Sequence, residues 1–347
     1  MSLRVAAAPS YVLWEITRAC NLRCRHCLSR SGAAAPGELD PEEALAVCDD
    51  LAAAGVGAVA LMGGEPLLRP DWPKLAARLR DAGIAVALAT NGLLLDEACA
   101  RRARECGVSQ VVIGLDGGCE AHERIRGPGS FEPALRALDA AATAGMESRL
   151  VVTSVHRGNA DQLEPLLGIL LERAPGAGWA INFTSIRHDA RMPRAMRADV
   201  GIFREVAAFL ERERPRHAGR LELMASHDLG YCARATPELQ PEPWRGCVAG
   251  LETLGITASG GLKGCLALSD SLVEADVRDR PIAELWADPD AFAYNRRFVA
   301  ADLRGRCQGC PEGARCRGGC LDFGLTMEGE AHHAPFCLRR IERGEER

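Results

Sequence analysis

The sequence contains no long apolar run, no block of basic residues and no N-terminal segment with the charged-then-apolar pattern of a signal peptide. A membrane-spanning helix needs about 20 predominantly apolar residues, and nucleic-acid binding usually leaves a basic patch on the chain. We therefore expect no membrane and no nucleic acid as partners. The missing secretory signal favours a cytoplasmic protein.

Internal repeats and low-complexity tracts are also missing. The chain has 347 residues, a formal net charge of −5 and an apolar content of 47%, which is ordinary for a globular protein. This length is sufficient for one large domain and a smaller one.

Cysteine is abundant, with 15 residues in the chain. The odd count, the chain length and the missing signal peptide all oppose a disulfide framework. Clustered cysteines in a cytosolic protein more often bind metal, so the cysteine positions direct the search for a functional site.

Three of these cysteines lie on one short segment near the N-terminus, in the pattern Cys20-x3-Cys24-x2-Cys27. They follow an apolar run that predicts a strand. Three thiolates on one loop can hold three irons of a 4Fe–4S cluster and leave the fourth iron without a protein ligand. An open iron can bind a substrate or cofactor, so the loop predicts a reactive cluster.

Residues 11 to about 214 alternate short apolar runs with amphipathic stretches. Six β-then-α units in series predict an α/β fold with a parallel sheet and right-handed crossovers. Six units are too few for a full eight-unit barrel and predict a partial (β/α)6 barrel. The predicted strands are Tyr11–Ile16, Gly57–Leu61, Ile84–Ala89, Gln110–Leu115, Arg149–Ser154 and Trp179–Thr184, and the predicted helices lie near 41–54, 70–82, 94–106, 130–144, 160–173 and 199–213.

Distinctive loops follow the first four predicted strands. In partial barrels the chemistry collects at the C-terminal ends of the strands, so these loops should share one edge of the sheet. After the cysteine loop they are Gly63-Gly64-Glu65-Pro66, Thr90-Asn91-Gly92 and Asp116-Gly117-Gly118.

The periodic pattern weakens after about residue 215, where Gly and Pro become frequent and cysteines return. We divide the chain into a barrel (1–214), a bridging segment (215–246) and a small, loop-rich iron–sulfur domain at the C-terminus (247–347). The core of this last part is too thin to fold alone, and metal ligation would supply the missing stability.

These motifs together resemble the radical S-adenosylmethionine (SAM) enzymes with a C-terminal SPASM domain, an extension that carries auxiliary iron–sulfur clusters. The cysteine loop and the Gly-Gly-Glu-Pro turn resemble the first part of that family. The tail resembles the second part and covers most of the remaining chain. Its matching residues, in family order, are Cys247, Gly261-x3-Cys265, Cys307-x2-Cys310-x5-Cys316-x3-Cys320 and Cys337.

The resemblance implies radical chemistry. In the family, SAM chelates the open iron, and its reductive cleavage gives a 5′-deoxyadenosyl radical that removes a hydrogen atom from an unactivated C–H bond. The implied cofactors are SAM and three 4Fe–4S clusters, one that binds SAM and two auxiliary ones. The implied reductant is an electron donor such as flavodoxin or ferredoxin. The sequence names no catalytic side chain.

The resemblance also implies cofactor contacts. Gly63 and Gly64 would let the backbone approach the methionine part of SAM, Glu65 would accept hydrogen bonds from its ammonium group, and Pro66 would stiffen the loop. His26 stands where the family has an aromatic residue near the adenine, and its alternative is a surface histidine. The expected ribose contacts are Thr90, Asn91 and Asp116, with a simple turn as the alternative for Asp116.

The tail cysteines divide, by resemblance, into a distal and a proximal cluster. The distal cluster would use Cys307, Cys310, Cys316 and Cys337, and the proximal one Cys247, Cys265 and Cys320. Several relatives place a further cysteine where this chain has Thr253. The proximal cluster therefore either has an open iron or is closed by Cys232. A zinc site is the alternative for the tail.

The family favours a peptide substrate, modified by cross-linking, epimerisation or a related reaction at a C–H bond. Leu266 stands where sulfatase-maturing relatives carry an aspartate, which opposes that activity. About ten residues precede Tyr11, so we expect any leader peptide to be bound by a separate protein or the pocket to read the peptide directly. The polar run Asn182, Thr184, Ser185 and Arg187 lines the pocket or is a solvated loop.

Two alternatives to a peptide-modifying enzyme remain open. One is a radical SAM dehydrogenase or epimerase of a small metabolite, and the other is a non-catalytic iron–sulfur electron carrier. An electron carrier has no use for the Gly-Gly-Glu-Pro turn or for a barrel-sized domain.

Overall fold

A computed structural model describes residues 4–146, 148–187, 190–225, 229 and 244–345. One ten-stranded sheet runs through it, in the order β10-β9-β8-β1-β2-β3-β4-β5-β6-β7. The strands are β1 (Tyr11–Thr17), β2 (Ala58–Gly63), β3 (Ala85–Thr90), β4 (Val108–Gly114), β5 (Ser148–Val155), β6 (Gly178–Phe183), β7 (Glu222–Ala225), β8 (Thr253–Ile256), β9 (Gly261–Lys263) and β10 (Ala275–Asp276).

Helices connect the parallel strands, as the alternating pattern predicts. The described helices are α1 (Pro41–Ala53), α2 (Trp72–Asp81), α3 (Glu97–Glu105), α4 (Cys119–Arg126), α5 (Phe131–Thr143), α6 (Leu163–Arg173), α7 (Val200–His217), α8 (Ile282–Ala287), α9 (Ala293–Arg296), α10 (Gly313–Cys316), α11 (Leu321–Met327) and α12 (Leu338–Glu342).

Six predicted βα units are present, and β1 to β7 are parallel throughout. Two elements were not predicted in this half of the chain. One is the short helix α4, which begins directly after Gly117 and Gly118 in the loop that follows β4. The other is β7, which extends the sheet inside the predicted bridging segment.

The strands have apolar runs because helices cover them, as is usual in parallel sheets. Trp14 and Ile16 of β1 and Leu61 of β2 are buried in one continuous core that extends to the tail. The first helix begins as predicted, since Asp40 accepts hydrogen bonds from the backbone N–H groups of Glu42 and Glu43. This packing fixes the strand ends on which the candidate site is built.

The tail is joined to the sheet. β8 pairs with β1 in parallel, with Tyr11 opposite Thr253, and β9 and β10 follow as antiparallel strands. Phe323 and Leu338 of the tail are buried in the main core. Within the described ranges, no helix is long and apolar enough to cross a membrane.

Candidate active site

The three N-terminal cysteines lie on the loop after β1, and backbone hydrogen bonds fold this loop back on itself. The N–H of Cys20 donates to the carbonyl of Gly32 at 2.9 Å. Backbone N–H groups also approach the sulfurs: that of Leu22 lies 3.4 Å from Cys20 Sγ, and that of Ser31 lies 3.4 Å from Cys27 Sγ. Hydrogen bonds to sulfur of this kind stabilise the thiolates of iron–sulfur clusters.

The cysteine loop carries the donor set of a cluster with three protein ligands. Cys20, Cys24 and Cys27 are half-buried and form no disulfide. Burial raises the pKa of the Cys24 thiol to about 11, so without a metal this group remains a thiol at neutral pH. Iron would provide the positive charge that a thiolate needs in this place. The donor set therefore suits a 4Fe–4S cluster with three protein ligands.

The Gly-Gly-Glu-Pro turn packs directly on the cysteine loop. The N–H of Gly64 donates to the carbonyl of Thr17 at 2.7 Å, and that of Glu65 donates to the carbonyl of Ala19 at 2.8 Å. A Cβ atom on Gly63 would lie 2.2 Å from the Thr17 oxygen, and one on Gly64 would lie 2.2 Å from the Ala19 oxygen. Glycine is required here because the two backbones are in contact, and Pro66 follows as the first residue of a short 3-10 turn.

Glu65 is fully buried and connects the second and third loops. Its carboxylate accepts hydrogen bonds from Thr90 Oγ1 at 2.7 Å, from the N–H of Asn91 at 2.8 Å and from the N–H of Leu67 at 3.1 Å. Burial outweighs these hydrogen bonds and raises the pKa of the carboxyl to about 7. The structure thus places Glu65, Thr90 and Asn91 in one buried group; their contacts with SAM stay a prediction.

Asn91 connects this group to the cysteine loop. Its Nδ2 donates to Asn21 Oδ1 at 2.7 Å and lies 3.9 Å from Cys20 Sγ. The loops after β1, β2 and β3 are therefore held together by direct contacts, as their shared position at one sheet edge predicts.

Asp116, in the loop after β4, is buried with a set of charged partners. Its carboxylate accepts from His26 Nε2 at 2.8 Å, from Arg126 Nε at 2.5 Å and from the N–H of Ser154 at 3.0 Å. Burial opposes ionisation, but Arg126 and His26 outweigh it and hold the pKa of Asp116 well below its usual range. Asp116 is therefore no simple turn residue.

The His26 side chain is 8% exposed, so the alternative of a surface histidine is wrong. His26 instead bridges the cysteine loop and the strand end of β4. Its other ring nitrogen, Nδ1, is buried without a protein partner. A contact between His26 and the adenine stays a prediction.

A cavity of about 430 Å³ extends from His26 to the tail. Leu13 of β1, Ser154 at the end of β5 and Phe183 of β6 line the same space. The first, fifth and sixth strands therefore face one another across it, as in a barrel. Its wall is largely apolar, with polar groups at one end of β6, and its size is ordinary for a small-ligand pocket.

The polar run after β6 divides between cavity and support. Asn182, Thr184 and Ser185 line the cavity. Arg187 is not a lining residue, but it donates hydrogen bonds to two residues that line the cavity, at the carbonyl of Ala267 and at Asp322 Oδ1. Thr184 is buried, so the alternative of a solvated loop is wrong for that residue, whereas Asn182 and Ser185 are half-buried in the cavity wall.

The predicted proximal cysteines line the far end of the same cavity. Cys247, Cys265 and Cys320 share it, although they are far apart in sequence. Thr253 also lies in the wall, and its Oγ1 donates to the carbonyl of Gly264 at 3.0 Å. Cys232, the other candidate ligand, lies outside the described residues.

The predicted distal cysteines lie around a second, small cavity, lined by Cys307, Cys310, Cys316 and Cys337. The N–H of Ala334 approaches Cys307 Sγ at 3.3 Å, and burial raises the pKa of Cys316 to about 12. Among residues 4–345 that are described, no three His, Cys, Asp or Glu side chains surround one point as a single metal ion requires. In a cluster each thiolate binds its own iron, so its ligands can stand farther apart.

Sequence reasoning missed several residues of this site. Asp322, Trp244 and Leu28 line the cavity, and Arg126 holds Asp116. Asp322 follows Cys320 by two residues, and Leu28 follows Cys27 directly, so closeness to a cysteine motif was a usable signal for both. Trp244 lies three residues before Cys247 and carried the same signal, whereas Arg126 carried none because only the fold brings it to the site.

Comparison with known proteins gives matches to a family model and to individual relatives. The family model described as the Radical SAM superfamily matches residues 14–167. The mycofactocin maturase MftC of Mycobacterium ulcerans (strain Agy99) is 30% identical over 340 residues, which is 93% of this chain and 86% of that protein. The Fe-coproporphyrin III synthase of Methanosarcina barkeri (strain Fusaro / DSM 804) is 31% identical over 324 residues, which is 86% of this chain and 80% of that protein.

The fold also has a solved counterpart. The crystal structure of Streptococcus suis SuiB bound to S-adenosylmethionine matches with a TM-score of 0.72 and 16% sequence identity, over 92% of this chain and 74% of that one. At this identity the likeness concerns the fold alone, and it confirms the predicted α/β partial barrel.

Proposed function

Because this chain belongs to the radical SAM superfamily and is an enzyme, we propose that it modifies a peptide by abstracting a hydrogen atom from a residue held in the 430 Å³ cavity. The family implies SAM and a 4Fe–4S cluster. Bound at the N-terminal loop, SAM together with a cluster reduced by one electron would supply the radical chemistry for hydrogen-atom abstraction. The cavity carries the proposal because it reaches from that loop to the proximal cysteines.

The protein contributes position and exclusion of water. The cysteine loop would hold the cluster. The Gly-Gly-Glu-Pro turn stabilises that loop through backbone hydrogen bonds that the N–H groups of Gly64 and Glu65 donate. The loops after β3 and β4 lie at the same edge of the sheet, and Thr90, Asn91 and Asp116 on them are the proposed ribose contacts. Leu13, Leu28 and Phe183 give the cavity an apolar wall that excludes water from the reacting carbon.

Three clusters per chain belong to this proposal. Cys307, Cys310, Cys316 and Cys337 would hold a closed distal cluster, and Cys247, Cys265 and Cys320 a proximal one next to the substrate. Thr253 lines the cavity at the position of a further cysteine in several relatives, which supports an open proximal iron. We also retain the division into residues 1–214, 215–246 and 247–347 as a proposal, with flavodoxin or ferredoxin as the reductant.

The composition of the cavity favours a peptide over a tetrapyrrole. Its polar wall includes the amide of Asn182 and the hydroxyl of Ser185, which match the hydrogen-bonding groups of a peptide backbone. Among the described residues that line the cavity, none is a lysine or arginine that could pair with the carboxylates of a coproporphyrin. Similarity to a protein named a maturase supports a peptide substrate. Similarity to a protein named an Fe-coproporphyrin III synthase supports the small-molecule alternative, so the experiment below tests both substrates.

The test uses reconstituted protein under anaerobic conditions with SAM and dithionite. We expect 5′-deoxyadenosine, and we expect its formation to rise with the short peptide encoded next to the gene, together with a mass change in that peptide. Stimulation by a coproporphyrin and not by any peptide would instead establish the small-molecule reaction. A protein that forms no 5′-deoxyadenosine would refute the radical reaction itself.

A matched pair of variants locates the chemistry. Cys24→Ala should abolish 5′-deoxyadenosine and remove about four irons per chain, while the tail keeps its clusters. Cys48→Ala is the control because Cys48 is buried inside α1, away from the site, and it should keep both iron and activity. Equal loss of all iron in Cys24→Ala would contradict separate cluster sites.

A further inference from the structure

The C-terminal end of α4 packs against the cysteine loop. The N–H of Arg25 donates to the carbonyl of Ile125 at 2.9 Å. The sulfur of Cys24 lies 3.8 Å from the carbonyl oxygen of Arg126. The end of a helix carries partial negative charge, so a Cys24 thiolate in this place needs a nearby positive group.

Besides iron, the side chain of Arg126 places a further positive charge next to the cysteine loop from inside the protein. It is 13% exposed, and its Nε donates to the same Asp116 oxygen that binds His26. A Cβ atom on Gly114 would lie 2.1 Å from Arg126 Nη2, so glycine at the end of β4 leaves the space that the guanidinium fills.

The charges of Arg126, Asp116 and the cysteines are coupled. Asp116 Oδ2 accepts from both Arg126 Nε and His26 Nε2, and His26 lies two residues after Cys24. The guanidinium and the carboxylate therefore both lie beside the cysteine loop, which the Arg126 carbonyl oxygen also contacts at Cys24 Sγ. The pair thus applies two opposite charges to one cluster ligand in a poorly solvated place, where such interactions are strong.

We propose that the charge of Arg126 sets the reduction potential of the N-terminal cluster. Asp116 holds the guanidinium in place, and Arg126 acts as a positioning residue that does not bind the cluster itself. Reduction adds one negative charge to the cluster, so the guanidinium stabilises the reduced form and the Asp116 carboxylate opposes it. Arg126 acts through the ligand Cys24 and through the loop. This inference depends on the N-terminal cluster and not on the nature of the substrate.

The test is a redox titration of the holoenzyme followed by electron paramagnetic resonance in the absence of SAM. The relevant signal is the one that is missing in Cys24→Ala and that changes when SAM is added to the wild type. Arg126→Gln should shift its potential to more negative values, since it removes the guanidinium charge and leaves the Asp116 carboxylate paired with His26 alone among its described side-chain partners. Asp116→Asn should shift it to more positive values, and Arg126→Lys should restore most of the wild-type potential.

Arg124→Gln is the matched control. Arg124 lies on the same helix but is solvent-exposed and paired with Glu120, so its loss should leave the potential nearly unchanged.

Shifts of the same sign in Arg126→Gln and Asp116→Asn, or a shift in Arg126→Gln no larger than in Arg124→Gln, would overturn the proposal. If Arg126→Gln does not fold, the sign of the Asp116→Asn shift decides alone. A wild type without any SAM-responsive signal would refute the cluster site, whereas unchanged potentials in a responsive protein would refute only the role of Arg126.

Discussion

At the scale of single residues, two buried carboxylates organise the site in different ways. Glu65 receives only neutral donors, from Thr90, Asn91 and Leu67, and burial raises its pKa. Asp116 receives a guanidinium and an imidazole, and its pKa is lowered. The same side-chain chemistry thus gives a proton-binding group in one loop and a permanent anion in another, because the partners differ.

Glu65 should make the stability of the protein depend on pH. Its pKa is about 7 in the folded chain, against a usual value of 4.5. Between these values the folded chain holds a proton that the unfolded chain has released, so stability falls as pH rises through this range and levels off above it. Between about pH 6 and about pH 8 we expect the ionisation of Glu65 to lower the free energy of unfolding by about 1 kcal/mol.

The comparison with Glu65→Gln isolates this contribution, since glutamine does not titrate. Urea unfolding of both proteins at the two pH values should show a smaller fall in stability for the variant. The variant should also be less stable than the wild type at both values, because its amide N–H₂ faces donors that the carboxylate satisfied. An equal pH dependence in the two proteins would contradict the assignment.

At the scale of elements, turns and helix ends fit against one another more closely than their sequences indicate. The turn after β2 lies on the loop after β1, and the end of α4 lies on the same loop from the other side. The sequence predicts that these loops share one sheet edge, since parallel strands end together. It does not predict which backbone atoms touch, because contacts between loops depend on the packing of the strands beneath them.

Gly64→Ala should disturb the cysteine loop. The added Cβ would lie 2.2 Å from the Ala19 carbonyl oxygen, so the turn must move away from the loop. We expect a loss of roughly 2 kcal/mol in stability and a lower yield of the SAM-responsive cluster signal. Urea unfolding and electron paramagnetic resonance measure the two effects.

Gly168→Ala serves as the control for this change. Gly168 lies in α6 with open space where the Cβ would stand. Alanine is favoured over glycine inside a helix by about 1 kcal/mol, so stability should stay equal or rise, and the cluster signal should not change. A similar loss in both variants would show that the turn after β2 has no special demand for glycine.

At the scale of the whole molecule, the tail is a structural part of the sheet. β8 pairs with the outer edge of β1, and tail side chains such as Phe323 join the main core. The sequence predicted a thin, loop-rich domain that depends on metal. It did not predict the added strands, since β8, β9 and β10 are each four residues or shorter and have no clear alternation.

Cys310→Ala should therefore affect more than the distal cluster. Losing one ligand removes folding energy that metal binding supplies, and a loosened tail would expose the edge of β1 to pairing with other chains. We expect poorly soluble protein that a protease cleaves within the tail. Cys119→Ala is the control because Cys119 is exposed and belongs to none of the three cysteine sets, and it should behave as wild type. A soluble, active Cys310→Ala protein would show that the distal cluster is dispensable.

The sequence by itself determined the elements whose signals are local: six βα units, the helix that starts near residue 41, and the cysteine motifs that indicate iron–sulfur chemistry. Hydrophobic periodicity and ligand spacing are properties of neighbouring residues, so they can be read along the chain. The tertiary structure decided what lies between distant segments. It brought Cys247, Cys265 and Cys320 to one cavity with His26, made Asp116 an anion by placing Arg126 beside it, and seated the tail on β1. These outcomes depend on packing between segments many residues apart, which no local pattern encodes.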